Sequence, residues 1–387
     1  YRFTYRNTAD YMRVVHHCSV FSTLSETFIY DYVTELERQG VDTHVLTHRR
    51  ENAERRPFEQ VVVLPWPSSW GPRRIGYLRE VYTSYWTLLR PVIKNELLRI
   101  RPDVIHAHFG RMGAMMAPIA SALDIPLVVT FYGYDISELP RQKRWQKAYE
   151  KIWHTAQAIV VLSEEMKHRA IKCGAPLERV QIVHLARDLE VFSYRPPDPP
   201  IRELVSVGRL TEKKGHLDAI RAIQRLVQEG QDLHLRIVGG GALYDQLDRY
   251  IRDNNLQDHV ELMGAQPNEK VAGYLRGADA FILCSKTAPS GDREGTPTVL
   301  IEAQAVGLPC ISTRHAGIPE MIPADNHRLL AEEGNVDQIV ESLDWLLKQS
   351  HEKVHAIAEA GREKVEMDFH IVQEVNKLYL LYKNLIK

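Results

Sequence analysis

The feature that most constrains this chain is a break in an otherwise regular pattern. Residues 195–200 read Arg195-Pro196-Pro197-Asp198-Pro199-Pro200, and proline at that density makes a backbone extended and semi-rigid. On both sides of the break the same unit repeats: a short apolar run, a turn, then a stretch with helical periodicity. Before it, Met12–Cys18, Val41–Thr47, Gln60–Leu64, Val104–Ala107, Leu127–Phe131 and Ala158–Leu162 read as strands, with a helix over Glu26–Gln39. After it, Glu203–Val207, Leu233–Val238, Val260–Met263, Ala280–Cys284 and Cys310–Thr313 read as strands, with helices from about His216 and over Leu243–Asn254. Strand–helix alternation implies a parallel sheet covered on both faces, an α/β fold. A chain of 387 residues is too long for one ordinary core, so two such domains are expected. The expected division is 1–195 and 196–365, with 366–387 a last helix returning to the first domain. Val372, Val375, Leu378 and Leu381 fall there at helical spacing.

Open parallel sheets bind ligands beyond the carboxyl ends of their strands. In the first half, Ser22, Ser25, Glu26 and Thr27 follow one strand, and His106, His108, Phe109, Gly110 and Arg111 end or follow another. Tyr132, Gly133, Tyr134 and Asp135 follow a third. His108 and Asp135 suit a hydrogen-bonding or proton-handling pair. The plain alternative is a packed histidine and a helix-capping aspartate.

In the second half, Arg209 and Lys214 flank a strand-to-helix turn, Gly208–Gly215, where two cations can reach a diphosphate. The turn lacks the GxxxxGK[ST] spacing of a phosphate-binding P-loop. Gly239-Gly240-Gly241 lets a ligand approach the backbone, without the GxGxxG dinucleotide pattern. Gly264-Ala265-Gln266 is a small-residue turn. The stretch Arg293–Glu302 then reads REGTPTVLIE. Glu294 sits in a turn with Gly295, Thr296-Pro297 reads as an N-cap and first helical position, and a helix follows over Thr298–Ala305, carrying Glu302. Free amides at a helix start attract anions, and carboxylates beside them suit sugar and ribose hydroxyls. Two solvated glutamates are the plain alternative.

Other classes recede. The net charge is −1, so no global field favours nucleic acid. Cys18, Cys173, Cys284 and Cys310 are scattered and form no zinc or redox spacing. They read as reduced core residues of a cytosolic protein, and no metal or other cofactor is expected. No apolar run of about 18 residues suggests a transmembrane helix. The polar residues before the first strand do not read as a signal peptide. The segment Pro65–Arg101 combines Trp66, Trp70, Tyr77, Tyr82, Tyr85 and Trp86 with Arg73, Arg74 and Arg79. It suits either a membrane interface or a long helix covering the sheet.

The stretches GRLTEKKG at 208–215, IVGGGALYDQL at 237–247 and REGTPTVLIEAQAVGLPCISTRHAGIPE at 293–320 resemble the family 4 glycosyltransferases, retaining enzymes of the GT-B fold. The last stretch holds that family's E-x7-E as Glu294 and Glu302. STLSETF at 22–28, HAHFG at 106–110 and TFYGYDIS at 130–137 resemble its exopolysaccharide branch, such as the colanic acid and amylovoran enzymes. The resemblance implies two Rossmann-like domains facing a central cleft. It implies a UDP- or GDP-sugar donor as substrate and a saccharide or polyprenyl-linked glycan as acceptor. Arg209 and Lys214 would hold the diphosphate and stabilise its departure. Glu294 would contact the donor sugar and Glu302 the ribose. Gly239, Gly240, Gly264, Gly295, Thr296 and Thr298 would line the donor side. Ser25, Glu26, Tyr132, Asp135 and His108 would face the acceptor or sugar. It further implies a metal-independent enzyme in the cytoplasm, with peripheral contact at the inner face of the cytoplasmic membrane. One departure matters: many members have TFHG where this chain has TFYG, so a histidine role does not carry over to Tyr132. Whether His108 or Tyr132 faces the anomeric centre stays open here. So do two other classes, a nucleotide-sugar epimerase and a non-catalytic nucleotide-sugar-binding protein.

Overall fold

The computed structural model describes residues 11–23, 27–65 and 78–386. Ser25, Glu26, Trp66, Trp70, Arg73, Arg74 and Tyr77 lie outside these residues, as do the side chains of Arg79, Tyr82, Tyr85 and Trp86.

The first half runs β1 (Arg13–Phe21), α1 (Thr27–Arg38), β2 (Asp42–Arg50), β3 (Val61–Val63), α2 (Leu78–Ile100), β4 (Val104–His108), α3 (Gly110–Leu123) and β5 (Leu127–Thr130). It continues through α4 (Tyr134–Ser137), α5 (Lys143–Thr155), β6 (Ala158–Val161), α6 (Glu164–Lys172) and β7 (Val180–Ile182). These strands form a parallel sheet in the order β3-β2-β1-β4-β5-β6-β7. Both faces are covered, which is why β4, β5 and β6 are buried at every residue. Leu89, Ile93, Leu97 and Ile100 of α2 lie in the core beneath this sheet, so the described half of that helix is a cover helix.

The second half runs β8 (Glu203–Val207), α7 (His216–Gln228), β9 (His234–Val238), α8 (Tyr244–Asp253), β10 (Val260–Gly264), α9 (Asn268–Arg276) and β11 (Ala280–Leu283). It continues through α10 (Thr298–Val306), β12 (Cys310–Thr313), α11 (Ile318–Met321), β13 (Leu330–Ala331), α12 (Val336–Leu347), α13 (His351–Asp368) and α14 (Ile371–Leu385). Its sheet is also parallel, in the order β10-β9-β8-β11-β12-β13. In both sheets the order reverses beside the first strand, β1/β4 in one and β8/β11 in the other. Ligands bind at such switch points.

The linker is fixed to the second domain, where the Arg195 amide donates to the Val306 carbonyl at 2.6 Å. The chain crosses back at Phe369–Ile371. There Arg187 N donates to Phe369 O and Ile371 N to Arg187 O, each at 3.1 Å. Helix α14 then packs on the first domain. Ile371, Val375, Leu378 and Tyr382 join Tyr32 and Leu36 of α1 and Val14, Val104 and Val128 of the strands. The helical period was legible, but its phase was not. Val372, expected inward, is 46% exposed, and Ile371 and Tyr382 take the inward positions in place of Val372 and Leu381.

Candidate active site

The carboxyl ends of the two sheets enclose a cavity of about 770 Å³. Its second-domain wall follows from the turns after β8 and β11. After β8, a short turn of 3-10 helix ends at Gly215, whose φ of +65° a side chain would strain. A Cβ there would also lie 1.7 Å from the Cys284 carbonyl oxygen. This turn brings Lys214 Nζ to 3.0 Å from Glu294 Oε1. Lys213 beside it pairs with Asp292 at 3.0 Å. Burial acts to raise the Glu294 pKa, but Lys214 and then Lys213 outweigh it and hold the carboxyl at about 2. Glu294 and Glu302 are 7% and 8% exposed, which excludes the solvated alternative.

The Glu294 backbone is fixed separately. Its amide donates to His315 Nε2 at 3.1 Å, and His315 Nδ1 lies 2.7 Å from Glu333 Oε1. The carboxylate can only accept from Nδ1–H, so Nε2 keeps its lone pair for the Glu294 amide. Burial lowers the His315 pKa, in keeping with a neutral ring.

Helix α10 starts one residue later than its sequence suggests. Pro297 is the N-cap, and no side chain caps the first turn. Thr296, expected as that cap, donates its hydroxyl across the domains to Leu162 O at 3.3 Å. Glu302 lies one turn along the helix, with Oε1 2.9 Å from Arg187 Nε. Arg187 also donates to Asp31 Oδ2 at 2.7 Å and to Thr27 Oγ1 at 2.9 Å. Burial opposes its charge, but Glu302 and Asp31 overcome this and raise its pKa.

The domains meet at close quarters beside this helix. A Cβ on Gly295 would lie 2.2 Å from the Tyr132 carbonyl oxygen, so only glycine allows the approach. Glu320 of the second domain accepts from the Glu164 and Glu165 amides at the start of α6, at 2.8 and 3.1 Å.

The first-domain wall is aromatic: Phe28, Phe109, Tyr132 and Tyr134 line the cavity. Phe109 has φ +72°, a strained conformation for a non-glycine residue. The Tyr132 ring lies 4.7 Å from that of Phe28 and 4.5 Å from that of Phe109. Its hydroxyl is bonded to His108 Nδ1 at 2.6 Å. His108 Nε2 in turn meets His16 Nδ1 at 3.0 Å. His108 therefore sits behind Tyr132 and does not line the cavity. Burial, with neighbouring histidines, holds the His108 pKa well below its ordinary value, and burial alone holds His16 at about 3.

The expected pairing of His108 with Asp135 is not formed. Asp135 instead accepts from the amides of Gly110, Tyr132 and Gly133, each at 2.9 Å. It ties two strand-end loops together, while burial pushes its pKa up to about 6 against those hydrogen bonds. The plain alternative holds for His108, which is packed; Asp135 lies within α4, whose N-cap is Gly133, and bridges loops instead of capping the helix.

Of the other anticipated residues, Arg209, Gly239, Gly240, Gly295, Thr296 and Thr298 line the cavity with Lys214, Glu294, Glu302 and Tyr132. Gly264 does not. It accepts the Gly239 amide at 2.9 Å, and its neighbours Ala265 and Gln266 reach the cavity instead. Sequence reasoning missed Arg187, Lys213 and His315. Among the described residues, His16, His106 and His108 form one group with ligand-like geometry, and Asp198, His351 and His355 another. Neither lines the cavity.

The arrangement sets Arg209, Lys213, Lys214 and an open helix start against two buried carboxylates, with an aromatic wall opposite. Cations and amides suit a diphosphate, carboxylates suit hydroxyls, and aromatic faces suit the apolar face of a sugar ring.

Residues 195–364 match the family described as Glycosyl transferases group 1, and residues 25–191 the one described as Glycosyltransferase Family 4. The amylovoran biosynthesis glycosyltransferase AmsK of Erwinia amylovora is 36% identical over 288 residues, 73% of this chain and 70% of that protein. The chain belongs to the family 4 glycosyltransferases. This glycosyltransferase is also 34% identical, over 274 residues, to WcaL of Escherichia coli K12, named as a candidate colanic acid biosynthesis enzyme. That match covers 70% of this chain and 68% of WcaL. Among solved structures, the Anabaena protein HepE in complex with UDP and glucose superposes with a TM-score of 0.75 at 16% identity, covering 97% of this chain and all of that one. Its likeness shows the GT-B fold.

Proposed function

We propose that this glycosyltransferase moves a hexose from a nucleoside-diphosphate sugar to a saccharide or polyprenyl-linked saccharide, with retention of anomeric configuration, in exopolysaccharide or cell-surface glycan synthesis. The observation that carries this reading is the Lys214–Glu294 pair at the mouth of α10, opposite an aromatic wall. The diphosphate sits against Arg209, Lys214 and the α10 amides, the ribose at Glu302, and the sugar between Glu294 and Tyr132. The names of AmsK and WcaL, and the UDP and glucose in the HepE complex, support the substrate classes.

In the reaction, the acceptor hydroxyl oxygen forms a bond to the anomeric carbon. The bond from that carbon to the diphosphate oxygen breaks on the same face, and the acceptor proton passes to the departing oxygen. No protein nucleophile is needed, which fits a cleft where Tyr132 presents its ring and His108 lies behind it. Negative charge grows on the diphosphate, so the chain contributes fixed cations and amides aimed at that charge. In this reading they do the work a divalent metal does elsewhere. The aromatic wall and the glutamates orient the acceptor and sugar.

The first test is a thermal-shift panel of UDP- and GDP-sugars and free nucleoside diphosphates. A ligand that binds only the folded state raises the melting temperature. A shift with one nucleotide family supports the reading, and no shift with any removes it. For the acceptor, we propose peripheral contact at the inner face of the cytoplasmic membrane through the Trp66–Trp86 segment. Among the described residues no helix is long and apolar enough to cross a membrane. Salt-sensitive co-sedimentation with anionic liposomes, lost when Arg73, Arg74 and Arg79 become Glu, tests that contact.

A further inference from the structure

The linker and the start of α13 place three ligand-type side chains together, none of them lining the cavity. His351 and His355 are four residues apart on α13, so they lie on one face of the helix. Their rings are 4.0 Å apart. Both Nε2 atoms point at one carboxylate oxygen, Asp198 Oδ1, at 2.7 and 3.2 Å. Asp198 is held by the prolines on either side of it in the linker.

We propose that Asp198, His351 and His355 bind a divalent d-block cation such as Zn²⁺. Two imidazoles and a carboxylate suit zinc, nickel or copper, whereas calcium and magnesium prefer all-oxygen sites. Paired histidines four residues apart on a helix face are a workable half of a zinc site. With bonds of about 2.0 Å, ligand atoms around tetrahedral zinc stand roughly 3.3 Å apart. The two nitrogen–oxygen separations here, 2.7 and 3.2 Å, would lengthen by about 0.6 and 0.1 Å to admit the ion. All three side chains are exposed enough to adjust, with side-chain exposures of 55%, 36% and 75% for His351, His355 and Asp198. Solvent completes the coordination.

The other histidine group does not compete. His106 commits both ring nitrogens, to Tyr382 and Thr130. That group is buried and contains no carboxylate, so a dication there would lack a neutralising partner. The proposed ion would join the interdomain linker to the helix that leads into the return crossing at Phe369–Ile371. It would stiffen the two connections between the domains without touching the cleft.

The test uses untagged full-length protein stripped with a chelator, titrated with ZnCl₂ calorimetrically and with CoCl₂ by visible absorption. The expected result is one ion per chain, with cobalt bands typical of nitrogen and oxygen ligation. Asp198→Asn or His355→Ala should weaken binding roughly tenfold or more, and His351→Ala/His355→Ala should abolish it. The exposed positions allow the variants to keep the metal-free melting temperature, which checks their folding. Absence of zinc binding by wild type, or zinc binding unchanged in the double variant, would overturn the proposal.

Discussion

Replacing Lys214 with alanine should damage two properties at once, and the structure separates them. The resemblance placed Lys214 at the departing diphosphate, a role in turnover. In the structure it is also the ion-pair partner of a buried carboxylate, with side-chain exposures of 13% for Lys214 and 8% for Glu294. The Glu294 pKa of about 2 lies well below its ordinary 4.5. A depressed carboxylate contributes stability that is present above its unfolded pKa and lost as pH falls through its folded one. Here the window runs from about 4.5 down to about 2, so the full contribution is present at neutral pH. A shift of this size corresponds to about 3 kcal/mol. Lys214→Ala removes most of it and leaves Glu294 buried beside Lys213, which is committed to Asp292. Adding Glu294→Gln removes the orphaned charge, so Lys214→Ala/Glu294→Gln should regain most of that stability. With Lys214 placed at the diphosphate as proposed, turnover should not recover; the expected loss in kcat/KM is roughly a hundredfold or more in both variants. Urea unfolding at pH 7.5 and steady-state kinetics read the two effects. A Lys214→Ala unfolding free energy within about 0.5 kcal/mol of wild type would refute the stability argument. Near-normal kcat/KM in that variant would refute the catalytic one.

Three further outcomes follow, two from single contacts and one from buried histidines. Gly295→Ala places a methyl 2.2 Å from the Tyr132 carbonyl oxygen, so the domains must part; kcat/KM should fall at least tenfold, and small-angle scattering should show a larger particle. Tyr132→Phe removes a hydroxyl bonded to His108, not one facing the cleft; stability should fall by about 1 kcal/mol with kcat nearly intact, and a hundredfold loss in kcat with little change in stability would place the hydroxyl in the chemistry. Burial lowers the pKa values of His16, His48 and His216 to about 3, 4 and 4, and it holds His17, His106 and His108 well below the ordinary value too. The unfolded chain takes up protons below about pH 6.5 that the folded one refuses, so stability is full above that pH and declines as pH falls, by about 1 kcal/mol per histidine at pH 5.5. Urea midpoints that stay level between pH 7.5 and 5.5 would contradict this.

The strand–helix grammar was legible because buried parallel strands are nearly continuous apolar runs. What escaped was short or depended on distance. Val180–Ile182 and Leu330–Ala331 are edge strands of three and two residues, too brief to show a period. The end of β1 was hidden by Ser19, though Val20 and Phe21 continue the pairing with β2. Most of the second-domain site was readable, since its cations, glycines and carboxylates follow successive strand ends. Thr296 deceived the reading because a local capping signal was overridden by a hydrogen bond to Leu162, 134 residues earlier. Arg187 carries no local signature at all. Its importance comes from meeting Glu302, Asp31 and Thr27 at once, which only the fold arranges. The same holds for Asp198 and its two histidines.

The central claim is glycosyl transfer from a nucleotide sugar with retention. Its most direct test is to incubate the enzyme, without added metal, with the donor that stabilises it and with polyprenyl-linked or free saccharide acceptors. Proton NMR then reads the anomeric coupling of the new linkage. The account predicts an acceptor-dependent product with the donor's anomeric configuration, free nucleoside diphosphate in equal amount, and loss of product in Glu294→Gln. An inverted linkage, or a donor sugar altered without any acceptor, would contradict it.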